Sequence, residues 1–184
     1  VVDLGLGEVR WYALDEEGGL VLRPDATLSS GAAGPRHLAF HPDGRHAVVV
    51  NELDSTLDVL RRDGDRFVRV STVSTRKAGA TGENSPAAVR VSDDGGTVFV
   101  TNRGDDTIAV FSFDPDVSRA ALVATEPARG RSPRDLVIAP EGDRVLAACQ
   151  DSDEVTVFAF DARTRALRFL AASPVPTPVC LAFI

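Results

Sequence analysis

Methionine is absent from all 184 residues, position 1 included. The chain is therefore not expected to begin at a native initiator: either a leader has been removed or this is a piece of a longer protein. Cysteine occurs twice, at Cys149 and Cys180, and neither has a CxxC partner. That argues against a disulfide framework and fits a reducing, cytoplasmic setting. No apolar run approaches the roughly 20 residues that span a bilayer, and no signal peptide is visible, so a membrane is not expected as a partner. Positive charge is in deficit. The net charge is −7 and the pI about 4.9, which argues against nucleic acid and anionic lipid. A local arginine cluster can still hold an anionic substrate. Lysine is nearly absent whereas alanine and arginine are abundant, a leaning towards a bacterium with a GC-rich genome. Helical periodicity is weak throughout.

The chain instead contains one segment written three times. PRHLAFHPDGRHAVVVNELDSTLDVL starts at Pro35, PAAVRVSDDGGTVFVTNRGDDTIAVF at Pro86 and PRDLVIAPEGDRVLAACQDSDEVTVF at Pro133, and the copies align without a gap. PVCLAFI opens a further copy at Pro178, and VVDLGLGEVRWYAL at the N-terminus reads as the later part of another. The prolines are 51, 47 and 45 residues apart. Repeats of this length built from short strands predict an all-β protein, a β-propeller with four-stranded antiparallel blades and about four blade equivalents. One domain over 1–184 is expected, with blades near 1–34, 35–85, 86–132 and 133–177. Residues 178–184 would form a first strand able to close against the N-terminal blade.

The copy at Pro86 shows how a blade forms. Ala87–Val91, Thr97–Thr101, Thr107–Phe113 and Ala120–Thr125 are apolar or β-branched runs, separated by turn clusters at residues 92–96, 102–106 and 114–116. The strand cores AVVV, TVFV and VLAA lack alternation, as expected for a blade covered on both faces. Asp15, Asp63, Asp114 and Asp161 occupy one turn column, where an aspartate can bind its own backbone. Trp11 falls in a core column. His41 and His46 flank the first turn and read as surface residues.

In such a meander the start of each first strand and the end of each second strand share one face. There the copies disagree, and in chemically capable residues: Arg36 and His37, Arg134, Asn51 and Glu52, Asn102 and Arg103, Cys149 and Gln150. An asymmetric ligand requires such a ring. The longer interblade loop STRKAGATGENS adds Lys77, Glu83 and Asn84. Each candidate has a plainer alternative. His37 could bond a neighbouring blade, and Arg103 and Arg134 could form interblade salt bridges rather than bind an oxyanion. Glu52 and Glu83 could be solvated charges rather than a general base. Gln150 would at most line the site.

GPRHLAFHPDGR, NEL, TGEN, VTNRGDDTIAVFSFD, PRDLVIAPEG, CQDSDEVTVF and PVCLAF, in that order, resemble the lactonase family of seven-bladed propellers, which includes propeller-type 6-phosphogluconolactonase and carboxy-muconate lactonizing enzyme. The family chain is roughly twice as long, and the resemblance covers its C-terminal half. It implies hydrolysis of a sugar-acid lactone such as 6-phosphogluconolactone, with no metal and no organic cofactor. The family's site residues carry over as His37 in GPRHL, Glu52 in NEL, Glu83 in TGEN, Arg103 in NRG and Arg134 in PRD; with the column reading, catalytic roles are expected of His37, Glu83, Arg103 and Arg134, and substrate contacts of Arg36, Asn51, Glu52, Asn102 and Gln150. Cys149 departs from the pattern, since the other copies have asparagine there.

Three rival readings stand beside this one. The first is a propeller that only binds a peptide or protein; such modules favour exposed aromatics at the mouth, and none is present here. The second is a calcium-dependent lactonase using oxygen ligands such as Asn51, Glu52 and Asn102. The third is an inactive partial ring that self-associates through open blade edges.

Overall fold

The computed structural model describes residues 1–184. Its strands are β1 (Val2–Asp3), β2 (Glu8–Val9), β3 (Tyr12–Leu14), β4 (Leu20–Leu22), β5 (Leu28–Ser29), β6 (Pro35–Phe40), β7 (His46–Asn51), β8 (Thr56–Asp63), β9 (Arg66–Ser74), β10 (Ser85–Val91), β11 (Thr97–Arg103), β12 (Thr107–Asp114), β13 (Arg119–Pro127), β14 (Pro133–Ile138), β15 (Arg144–Cys149), β16 (Glu154–Asp161) and β17 (Ala166–Pro174). β6–β9, β10–β13 and β14–β17 are consecutive four-stranded antiparallel meanders, the blades of a propeller. The N-terminal segment is shorter, with β1-β2-β5 in one sheet and β3-β4 as a hairpin.

The blades adhere through the apolar faces that the unalternating strands provide. Val48, Val50, Leu57 and Val59 of one blade pack with Val89, Val98, Val100, Ala109 and Phe111 of the next. Turning to the opposite face, Phe99, Ile108 and Val110 pack with Leu136, Val145, Ala147 and Phe158 of the blade after that. Successive residues of β11 thus serve opposite neighbours, which is why both of its faces are apolar.

The turns hold one surprise. Asp15, Asp114 and Asp161 accept backbone amides two to four residues downstream, as expected. Asp63 does not. Its turn is only Gly64-Asp65, and the carboxylate faces Arg66 at 3.8 Å instead. His41 and His46 are not surface residues; they are 7% and 3% exposed. His46 Nδ1 lies 2.7 Å from Asp43 and its Nε2 2.8 Å from Ser118 Oγ, while His41 Nε2 lies 3.1 Å from the Gly95 carbonyl. Ser118 and Gly95 belong to the next blade, so the pair straps two blades together. Burial works against the charge on Asp43, but hydrogen bonds from His46 and from the Arg45 and His46 amides hold its carboxyl well below the usual range. Trp11 is half-buried, stacked on Phe67 at 4.8 Å.

Residues 178–184 form no strand and pair with no sheet. Their anchor is the Leu181 amide, which donates to Asp135 Oδ2 at 2.8 Å.

Candidate active site

At one end of the innermost strands β6, β10 and β14 the register slips in the same way three times. Pro35 pairs with Asn51 but His37 with Val50; Pro133 pairs with Cys149 but Asp135 with Ala148; in β10 the shift lies between Pro86 and Val89. Each slip is a β-bulge, which inserts a residue and re-aims its side chain. In β6 and β14 the inserted residue is an arginine, Arg36 and Arg134. Because every copy carries the extra residue, the gapless alignment conceals it.

These bulges gather a charged cluster. Glu52 is held from both sides, by Arg36 Nε at 3.0 Å and Arg103 Nη2 at 3.0 Å. Arg36 also donates to the Ala87 carbonyl, and Arg103 Nε to that of Ser85 at 3.0 Å. Arg134 donates to Gln150 Oε1 at 3.1 Å. Burial lowers the pKa of Arg36, and the neighbouring positive charges of Arg103 and Arg134 push the same way, against the pull of Glu52. Two guanidinium groups thus hold one carboxylate, and Arg134 lies close enough to Arg36 to add positive charge.

Deeper, His37 faces Arg90, whose Nη1 lies 3.0 Å from His37 Nε2 and whose Nη2 lies 3.0 Å from Asp135. Sequence reasoning passed over Arg90. The available signal was a lone charge in a column otherwise occupied by Ala39 and Val137. Burial, then the Arg90 charge, lower the pKa of His37 to about 4. An unfolded histidine titrates near 6.5, so between these values the unfolded chain binds the extra proton. The stability gained by keeping His37 neutral is therefore complete above about pH 6.5. It is lost as pH falls towards about 4. His37→Gln is expected to flatten the fall in denaturation midpoint across this window; matching pH profiles in the two proteins would refute the shift.

Asn51 and Asn102 line no opening. They are 1% and 0% exposed. Asn51 Nδ2 donates to Thr56 and Asp58, and Asn102 is bound to Thr75, Asn84 and Thr107. Asn51 Nδ2 and both ends of the Asn102 amide serve the blades, while Asn51 Oδ1 is buried without a hydrogen-bond partner. Cys149 is also interior, and burial raises its thiol pKa to about 11. Cys180 is a free, exposed thiol.

Glu83 contrasts with all of these. It is exposed, takes part in no hydrogen bond or ion pair, and shares a cleft of about 550 Å³ with Glu52, Arg76, Asn84 and Ser85. Glu52 and Asp135 are both bound by arginine; Glu83 is not.

Residues 1–183 match the family model described as "Lactonase, 7-bladed beta-propeller". The chain belongs to this lactonase family. It is 32% identical over its full length to a 6-phosphogluconolactonase of Bacillus subtilis, of which it covers 53%. Superposed on the periplasmic gluconolactonase of Pseudomonas aeruginosa it gives a TM-score of 0.94 at 32% identity, covering all of this chain and 52% of the other. A Lactobacillus plantarum protein of solved structure gives 0.91 at 34% identity, covering 97% of this chain and 53% of that one. The chain thus spans about half the length of these lactonase-family relatives. No helix is long and apolar enough to cross a membrane.

Proposed function

We propose that the site hydrolyses an anionic sugar-acid lactone, of which 6-phosphogluconolactone is the model substrate. The carrying observation is the basic cluster of Arg36, Arg103 and Arg134, in which Glu52 binds only the first two. The names of the Bacillus and Pseudomonas relatives support the reaction type. In this reading Glu83 takes a proton from water, and the hydroxide oxygen bonds to the lactone carbonyl carbon. Arg103 or Arg134 stabilises the oxyanion. The ring C–O bond then breaks, the former ring oxygen takes up a proton, and the open-chain acid leaves. His37 stays neutral and positions the substrate. Glu52 orders two arginines rather than acting as base.

The reading uses no metal. Asn102 spends its amide inside the blades, and two arginines hold Glu52, which leaves Asn51 Oδ1 as the one unpartnered oxygen of the three. A cation would meet positive charge and few free oxygens there. We place the protein in the cytoplasm, a reading supported by its two free thiols.

The test is hydrolysis of 6-phosphogluconolactone with EDTA present, by the wild type and by Arg103→Ala and Arg134→Ala. Loss of one oxyanion donor typically costs about 10²–10³ in turnover, and a fall of that order is expected in at least one variant. Unchanged rates in both, or a wild type silenced by EDTA, would sink the proposal.

A further inference from the structure

Glu83 sits on a loop with no secondary structure of its own, yet one half-buried side chain organises that loop. Arg76, at the exit of β9, reaches across to the next blade. Its Nε and Nη2 grip the Asp105 carboxylate at 2.8 and 2.6 Å. The remaining donors turn back on the loop: Nη1 to the Gly82 carbonyl at 3.0 Å and Nη2 to the Thr81 carbonyl at 2.8 Å. The two carbonyls immediately before Glu83 are thus tied to a fork that is itself held in a charge-assisted pair.

The far side of Glu83 is fixed as well. Asn84 Nδ2 donates to Ser55 Oγ at 3.0 Å and to Asn102 Oδ1 at 3.1 Å, and its Oδ1 accepts the Asp105 amide at 3.2 Å. Gly104 has φ +103°, and a Cβ there would lie 2.5 Å from the Glu83 carbonyl oxygen, so only glycine lets the loop approach this closely. The Glu83 side chain is free while the backbone on both sides of it is anchored.

We infer that Arg76, paired with Asp105, is a positioning residue that holds the loop carrying Glu83 at the cleft. The inference rests on the reading of Glu83 as the base. It explains why a loop of small residues (Ala78-Gly79-Ala80-Thr81-Gly82) needs an arginine at its root. A guanidinium has donors enough to bind a carboxylate and two carbonyls together, whereas a lysine ammonium is a point charge without the fork.

The test combines amide exchange with kinetics on the full chain, comparing wild type, Arg76→Gln, Arg76→Lys, Asp105→Asn and Glu83→Gln. In Arg76→Gln, exchange over residues 77–84 should rise at least about tenfold, as expected for loss of charge-assisted hydrogen bonds, while β11 and β12 stay protected. Turnover of 6-phosphogluconolactone should fall about 100-fold, mainly in kcat, because small misplacements of a reacting group cost that much. Arg76→Lys should recover part of it. In a Glu83→Gln background, Arg76→Gln should add no further loss. Asp105→Asn, an isosteric change, should reproduce both effects if Arg76→Gln fails to fold. Unchanged exchange in the loop overturns the inference, as do losses that multiply in the double variant. If Glu83→Gln turns over like the wild type, the assignment of the base falls, and exchange alone decides whether Arg76 holds the loop.

Discussion

Glu83→Gln is expected to lower lactone turnover by about 10²–10⁴, the usual contribution of a positioned general base, with little change in KM. The substitution preserves volume and removes only the ability to accept a proton. Because the Glu83 carboxylate has no partner to lose, the denaturation midpoint should stay where it is. Glu52→Gln provides the contrast. It weakens the ties to Arg36 and Arg103, so its loss of activity should come with altered substrate affinity and reduced stability. The measurement is kcat and KM beside a denaturant titration for each variant. Activity retained in Glu83→Gln but abolished in Glu52→Gln with stability intact would reverse the two roles.

The second large effect is on folding. Phe111→Ala in β12 should cost about 3–5 kcal/mol, the range for emptying an aromatic site in a packed core. Phe111 is fully buried, and its cluster joins two blades: Val48, Val50, Leu57 and Val59 come from one, and Val98, Val100 and Ala109 from the other. Rigid strands on both sides limit collapse into the cavity, which argues for the upper part of that range. Since domains are typically stable by only about 5–15 kcal/mol, much of the chain should unfold at mild denaturant. Ser112→Ala, one residue along and half-buried, should stay within about 0.5 kcal/mol. Guanidinium titrations of both variants check this; a loss below about 1 kcal/mol for Phe111→Ala would mean that the blades do not depend on this contact.

The strands were legible because each copy repeats the same packing problem with the same residue types. The run TVFVT and its turns predicted β11, and the structure extends it only to Arg103. The side on which Arg36, Glu52, Arg103 and Arg134 gather was legible too, since strand alternation puts the first-strand starts beside the second-strand ends. What those residues do to one another was not. Glu52 read equally well as a base or a solvated charge until its two guanidinium partners appeared, one from its own blade and one from the next. His41 and His46 looked exposed because Gly95 and Ser118, which bury them, lie 54 and 72 residues away. Arg76 drew no notice because its value lies entirely in the geometry of the 77–84 loop.

Sequence alone determined the all-β meander, the strand boundaries to within a few residues, the face where Arg36, Glu52, Arg103 and Arg134 gather, and the family. All of these follow from local patterns: turn residues at fixed offsets, β-branched runs, and columns that repeat or fail to repeat. Tertiary structure decided which charges are paired and which remain free. It also decided that residues 178–184 are tied to Asp135 through the Leu181 amide. The physical reason is that ion pairing and desolvation depend on distances between blades, and a repeat describes one blade at a time.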